Sequence, residues 1–194
     1  MLSILKLLLF LLSISSFLSS SSSTEPEPPD PPLTPSESLT YFNLCATSSP
    51  TLLTYTSPSY LLSKTSDSET CLHLLTISPS LPLLTSYLTL LRTHLPPPTY
   101  LTLINTPVRT ETGLNMSPLS WIVYGLNAPV TSLFLEAGMR VNHVFRMEDG
   151  RKVTVLDIVE VLKMKGAETE EIEYVLNENG GKRYRELEEV NDDL

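Results

Sequence analysis

Apolar residues in this chain fall into short clusters with helical spacing, set apart by turn-forming residues. Behind Ser117-Pro118, the residues Leu119, Ile122 and Val123 recur at i, i+3 and i+4. This predicts a short helix whose serine hydroxyl caps the first turn and whose proline, lacking an N–H, suits the first helical position. A second cluster, Val130, Leu133 and Phe134, keeps the same spacing and stops at Gly138, the residue type best able to take the left-handed conformation that ends a helix. Neither helix is long enough to persist alone, so each needs neighbours over its apolar stripe. That is the situation of a repeat unit.

Copies of the pattern lie on both sides. Thr70-Cys71-Leu72-His73 is followed by a stripe at Leu83, Leu84, Tyr87 and Leu88, and Thr154-Val155-Leu156-Asp157 by Ile172, Val175 and Leu176. In the central unit, Ser117, Pro118, Leu119, Val130, Leu133, Leu135, Gly138 and Asn142 fall on the positions of an ankyrin repeat, which the unit resembles. It departs at Ser120, usually His, and at Ile122 and Val123, usually Ala. The resemblance implies an all-α fold: a short ankyrin-like helix-turn-helix solenoid over residues 39–187, with extended or hairpin loops between repeats. About three repeats would follow a capping helix pair within Tyr41 to Tyr55. The starts at 70, 117 and 154 are 47 and 37 residues apart, against about 33 for an ankyrin repeat, so about 14 and about 4 extra residues belong in the connections.

The larger excess, about Arg92 to Asn115, holds Pro96-Pro97-Pro98 and an alternating apolar run from Tyr100 to Ile104. It reads as an extended finger or a short hairpin. In the last unit Thr169 is placed to cap the second helix, with Glu170 and Glu171 in its first turn and Gly180-Gly181 at its end. Residues 188–194 form an acidic tail, part of a charged stretch from Glu186 that is expected to be solvated.

Composition changes the picture at the N-terminus. The chain of 194 residues is 41% hydrophobic and carries a net charge of −9, yet residues 1–108 hold only 6 of the 22 acidic groups and 3 of the 13 basic ones. Lys6, the apolar run to Leu18 and small residues to Ser23 predict a signal peptide over 1–23. A proline-rich linker over 24–38 is expected to be extended. The secretory pathway is the expected location, with a membrane-anchored or cytoplasmic protein as the alternative. No span is expected after signal cleavage, and a monomer is expected. An acidic chain without a basic stripe argues against nucleic acid as partner.

Candidate chemistry is sparse. His73 fits the turn histidine of the repeat, while His94 and His143 fall in expected loops without a base or nucleophile beside them. No CxxC, HxxxH, GxSxG or phosphate-binding glycine loop occurs, so no catalytic, cofactor or metal residue is assigned. The two cysteines could bridge in an oxidising compartment. The repeat register does not require their Cα atoms to come within the roughly 4.4–6.8 Å of a disulfide, and two buried thiols are expected. Asn115-Met116-Ser117 is a glycosylation sequon.

By the resemblance, Trp121 points inward, whereas Met116 and Tyr124 occupy variable positions on a concave face. Met and aromatic residues are enriched at interfaces. The expected function is therefore a non-enzymatic module that binds a protein partner. The rival reading is an enzyme or ligand-binding domain that uses the 92–115 insertion as a lid.

Overall fold

The computed structural model describes residues 31–109, 115–147 and 149–192, with the side chains of Arg109, Asn115 and 189–192 excepted. The expected signal segment 1–23 and residues 24–30 of the expected linker lie outside the described residues. Among the described residues ten α-helices form, interrupted by one 3-10 turn (Pro50–Thr54). They are α1 (Pro35–Ala46), α2 (Pro58–Leu61), α3 (Cys71–Leu75), α4 (Leu81–His94), α5 (Pro97–Ile104), α6 (Pro118–Tyr124), α7 (Ala128–Glu136), α8 (Val155–Met164), α9 (Glu170–Glu178) and α10 (Tyr184–Asp192). Strand is confined to two antiparallel hairpins, β1 (Val108–Arg109) with β2 (Asn115–Met116) and β3 (Phe145–Arg146) with β4 (Lys152–Val153). The mostly helical class agrees with expectation, and a hairpin precedes each of α6 and α8.

Five helices begin with the same local device, a residue at the cap bonded to the side chain three places on. In α1 the Thr34 N–H donates to Glu37 Oε2 at 2.8 Å, and in α8 the Thr154 N–H donates to Asp157 Oδ2 at 2.7 Å. Ahead of α3, the main-chain N–H of Thr70 lies 3.2 Å from His73 Nδ1. An N–H can only donate, so Nδ1 accepts and the ring proton sits on Nε2. Ahead of α6, the hydroxyls of Ser117 and Ser120 meet at 3.0 Å while Ser117 Oγ also accepts from the Ser120 N–H at 3.3 Å, and ahead of α10 the Arg183 N–H donates to Glu186 Oε2 at 3.2 Å. Each pairing satisfies a donor that a helix start would otherwise leave open.

These helices then pack in chain order: α1 on α3, α3 on α6, α6 on α8. The second helices do the same, with the 3-10 turn on α4, α4 on α7 and α7 on α9, and strand β2 lies against β3. One continuous apolar core results, running from Tyr41 and Leu52 through Leu84, Ile122 and Phe134 to Leu176. Where α4 passes α1, the hydroxyls of Tyr41 and Tyr87 meet at 2.9 Å, so two buried polar groups satisfy each other. Burial pushes the Tyr41 phenol up to about 12.

Several expectations are corrected. Cys45 and Cys71 are not free thiols; they form a disulfide with Cα atoms 5.3 Å apart. Packing of α1 on α3 brings the penultimate residue of one helix to the first residue of the other, a contact between elements that the cysteine spacing does not disclose. The run Tyr100 to Ile104 is helix α5, not an extended finger, and Tyr100, Leu103 and Ile104 are buried. Tyr100 also donates from its hydroxyl to Ala137 O at 3.0 Å, which fastens this part of the insertion to the end of α7. His94 ends helix α4 and is not in a loop. Helix α1 begins at Pro35, inside the stretch expected to be linker, because Thr34 and Glu37 close a capping box there. The charged stretch from Glu186 continues helix α10 to Asp192, with Glu188 exposed. Thr169 makes no capping bond; its buried hydroxyl has no partner among the described residues.

Candidate partner-binding surface

Tyr124 is the last residue of α6, and its ring is 55% exposed. It stands seven residues after the start residue Ser117. The same step from Thr70 reaches Ile77, 61% exposed, and from Thr154 reaches Val161, 37% exposed. Residues two before each of these, Leu75, Ile122 and Val159, are buried, so the outward apolar position recurs in register on three successive units. Since α3 contacts α6 and α6 contacts α8, the three positions form a row along successive packed elements, with Ile77 just beyond the end of α3. Of these three, only Tyr124 is expected at a contact position from the sequence, together with Met116. Ile77 and Val161 carry the same signal, legible once the three starts are aligned.

Met116, paired in expectation with Tyr124, is only 8% exposed. It pairs with Val108 across the β1–β2 hairpin, and Val108 is buried as well. Of the two expected contact residues, Tyr124 is therefore the one a partner can reach in the folded domain. Asn115 lies in β2 opposite Arg109, while its side chain is outside the described residues. The sequon serine, Ser117, is buried and engaged with Ser120 at the α6 cap. Trp121 is partly buried, and its indole N–H is enclosed without an acceptor among the described residues.

What holds the surface in place is a set of bonds between successive units. Asn142 Nδ2 donates to Gly180 O at 3.0 Å, and Asn142 Oδ1 accepts from Lys182 N at 2.7 Å. Asn105 repeats this one unit earlier, with Nδ2 to Gly138 O at 3.3 Å and Oδ1 accepting from Arg140 N at 2.7 Å. Gly138 has φ +102°, a conformation that favours glycine, and a Cβ there would need the partly exposed Leu101 side chain, 3.1 Å away, to shift slightly. Asp157 Oδ2 accepts from Tyr184 N at 3.0 Å, joining the last full unit to α10. Asn142 was singled out by its place in the repeat pattern. Asn105 was missed, although both precede a buried strand residue by three places, Val108 and Phe145.

His73 is 2% exposed, and burial lowers its imidazole to about 4 from an ordinary 6.5. The Met116 main chain opposes that shift and the Lys64 charge adds to it; Nε2 makes no hydrogen bond of ordinary geometry. The histidine thus serves its own helix cap as a neutral acceptor. His143 stacks on Phe145, with centroids 6.5 Å apart, and burial followed by the Arg140 charge lowers its pKa. Among the described residues no group of three or more His, Cys, Asp or Glu side chains is placed to hold a metal ion. No helix among them is long and apolar enough to cross a membrane. No protein-family model matches the chain, and no curated protein matches it. The disulfide points to an oxidising compartment.

Proposed function

We propose that this chain is a non-enzymatic protein-binding module of the secretory pathway, built as a short ankyrin-like solenoid that presents Tyr124 as an anchor. The observation that carries the reading is the recurrence of one exposed apolar residue, Ile77, Tyr124 and Val161, at the same step after each unit's start. Single exposed apolar side chains are ordinary on a protein surface. Three at the same step, two on helices and Ile77 just past the end of α3, offer a strip that a partner can cover. The ankyrin-like reading is supported by the repeated cap pairs, by the paired asparagine bonds at Asn105 and Asn142, and by the order in which the helices pack. The disulfide and the signal-like N-terminus support the location.

The test is a photo-crosslinking amino acid placed at 77, 124 or, as a control, at Tyr174, which is 65% exposed on α9. In cells that secrete the protein, positions 77 and 124 are expected to give the same discrete protein adduct, and 174 none. Identical adducts from all three positions would refute this surface. Against the partner so identified, Tyr124→Ala is expected to weaken binding about 30-fold, the loss of a hot-spot aromatic worth about 2 kcal/mol.

A further inference from the structure

The chain is acidic overall, with a net charge of −9, yet one of its hairpins is basic where it faces solvent. In β3–β4, Phe145 pairs with Val153 and Arg146 with Lys152. Phe145 is buried and Val153 half-buried, while Arg146 and Lys152 are exposed. Residues directly opposite in an antiparallel pair project to the same side, and like charges there repel. Neither cation has an ion-pair partner among the described residues. The ion pairs formed there are Arg151 with Asp149, Lys163 with Glu173, and Arg183 with Glu160 and Glu186.

The positive charge extends beyond the hairpin. Exposed Arg140 follows α7 and is held at its main chain by Asn105. Exposed Lys182 occupies the corresponding place one unit later, held by Asn142. The Lys152 ammonium lies 5.4 Å from the ring centre of Tyr184, two residues beyond Lys182. Among the described residues, Asp149 is engaged by Arg151, Asp157 by the N–H groups of Thr154 and Tyr184, and Glu188 by the Tyr184 hydroxyl, while Glu148 lies outside them.

We propose that the β3–β4 hairpin, with Arg140 and Lys182, docks a carboxylate-rich segment of the partner protein. This rests on the reading of the chain as a protein-binding module and names the chemistry of its partner. Charge complementarity selects an anion. The apolar row selects a polypeptide among anions, because β4 runs directly into α8, which carries Val161. Three extended residues and two helical turns separate Lys152 from Val161, a path of at most about 20 Å, which about six extended residues of a bound segment can cover. A segment with glutamates or aspartates at one end and a large apolar residue at the other meets both features. A sulfated glycan or a nucleic acid meets only the first.

The probe is a fluorescein-labelled peptide of four glutamates followed by Gly, Phe and Leu, titrated by anisotropy against the full secreted chain with its disulfide intact. Binding is expected in 50 mM salt and to weaken about tenfold in 300 mM salt. It is expected to fall at least tenfold for Arg146→Glu/Lys152→Glu and for the milder Arg146→Gln/Lys152→Gln, with unchanged circular dichroism. A peptide with lysines for glutamates should not bind, and one with alanines for Phe and Leu should bind more weakly. No binding of the acidic peptide, equal binding of the lysine peptide, or full binding by the folded glutamine variant would overturn the proposal. So would tighter binding of a heparin-derived hexasaccharide than of the peptide. Should position 124 still cross-link a protein that the hairpin variants bind unchanged, the charge assignment fails and the binding module stands. Should both the cross-link and the peptide fail, the module reading fails with it.

Discussion

Replacing Cys45 and Cys71 by alanine deletes the covalent tie between α1 and α3 while leaving small side chains at two buried positions. The bond closes a loop with a sequence separation of 26, for which the chain-entropy relation gives about −12 cal/mol/K, or about 3.5 kcal/mol at 25 °C. With a urea m-value of about 2 kcal/mol/M, that is a fall of about 1.8 M in the unfolding midpoint. Far-UV circular dichroism against urea measures it. Wild type unfolded and refolded under reductant should reach nearly the same midpoint, which separates the tie from the packing lost with two sulfurs. The alanines should add a smaller further loss because both sites are enclosed. Hydrogen exchange should show α1 opening before the rest of the core in the double variant, since its other neighbour in chain order is the short 3-10 turn. A midpoint shift under 0.3 M (about 0.6 kcal/mol at the same m-value), or two free thiols per chain in the secreted protein denatured without reductant, would refute the reasoning.

Two further outcomes are expected. Burial holds the His73 imidazole near 4 in the folded chain against 6.5 unfolded. The unfolded state therefore takes up a proton first as pH falls below 6.5, and stability drops until about pH 4. Between pH 7 and pH 5 this amounts to about 2 kcal/mol, and His73→Gln should remove that part of the pH dependence; equal pH profiles for the two proteins in urea titrations would count against it. Asn142→Ala breaks the bonds to Gly180 O and Lys182 N and should cost about 1–3 kcal/mol, with faster amide exchange at 180–184 than at 138–140. Unchanged exchange at 180–184 would mean that the asparagine does not hold that junction.

The helix starts at Thr70, Ser117 and Thr154 were legible because the bonds that cap them join residues three apart, so the local sequence carries the whole device. The helical stripes behind them were legible for the same reason. Elements settled by distant contacts were not. Tyr100, Leu103 and Ile104 do have helical spacing, but a run of five residues also alternates. The deciding facts are the proline-led first turn and the burial of that face against the end of α7. The last helix was hidden by its charge: acidic residues with few apolar ones suggest a solvated tail, and only the bonds of Arg183 to Glu186 and Tyr184 to Asp157 show why the chain coils there. The disulfide depended on how α1 lies on α3. Of the expected contact pair, Tyr124 was expected at the surface from the resemblance, and it is exposed. Met116 is buried, paired across the β1–β2 hairpin with Val108, eight residues upstream.

The cysteine tie also has a bearing on the order of biosynthesis. Both sulfurs lie within the first 71 residues, so a nascent chain can complete the bond while the central and final units are still being made. The N-terminal helices then present a covalently braced face on which α6, and afterwards α8, can form. An interrupted chain released after α4 would already carry the bond, whereas one lacking α1 would display Cys71 as an unpaired thiol to the quality-control machinery of an oxidising compartment.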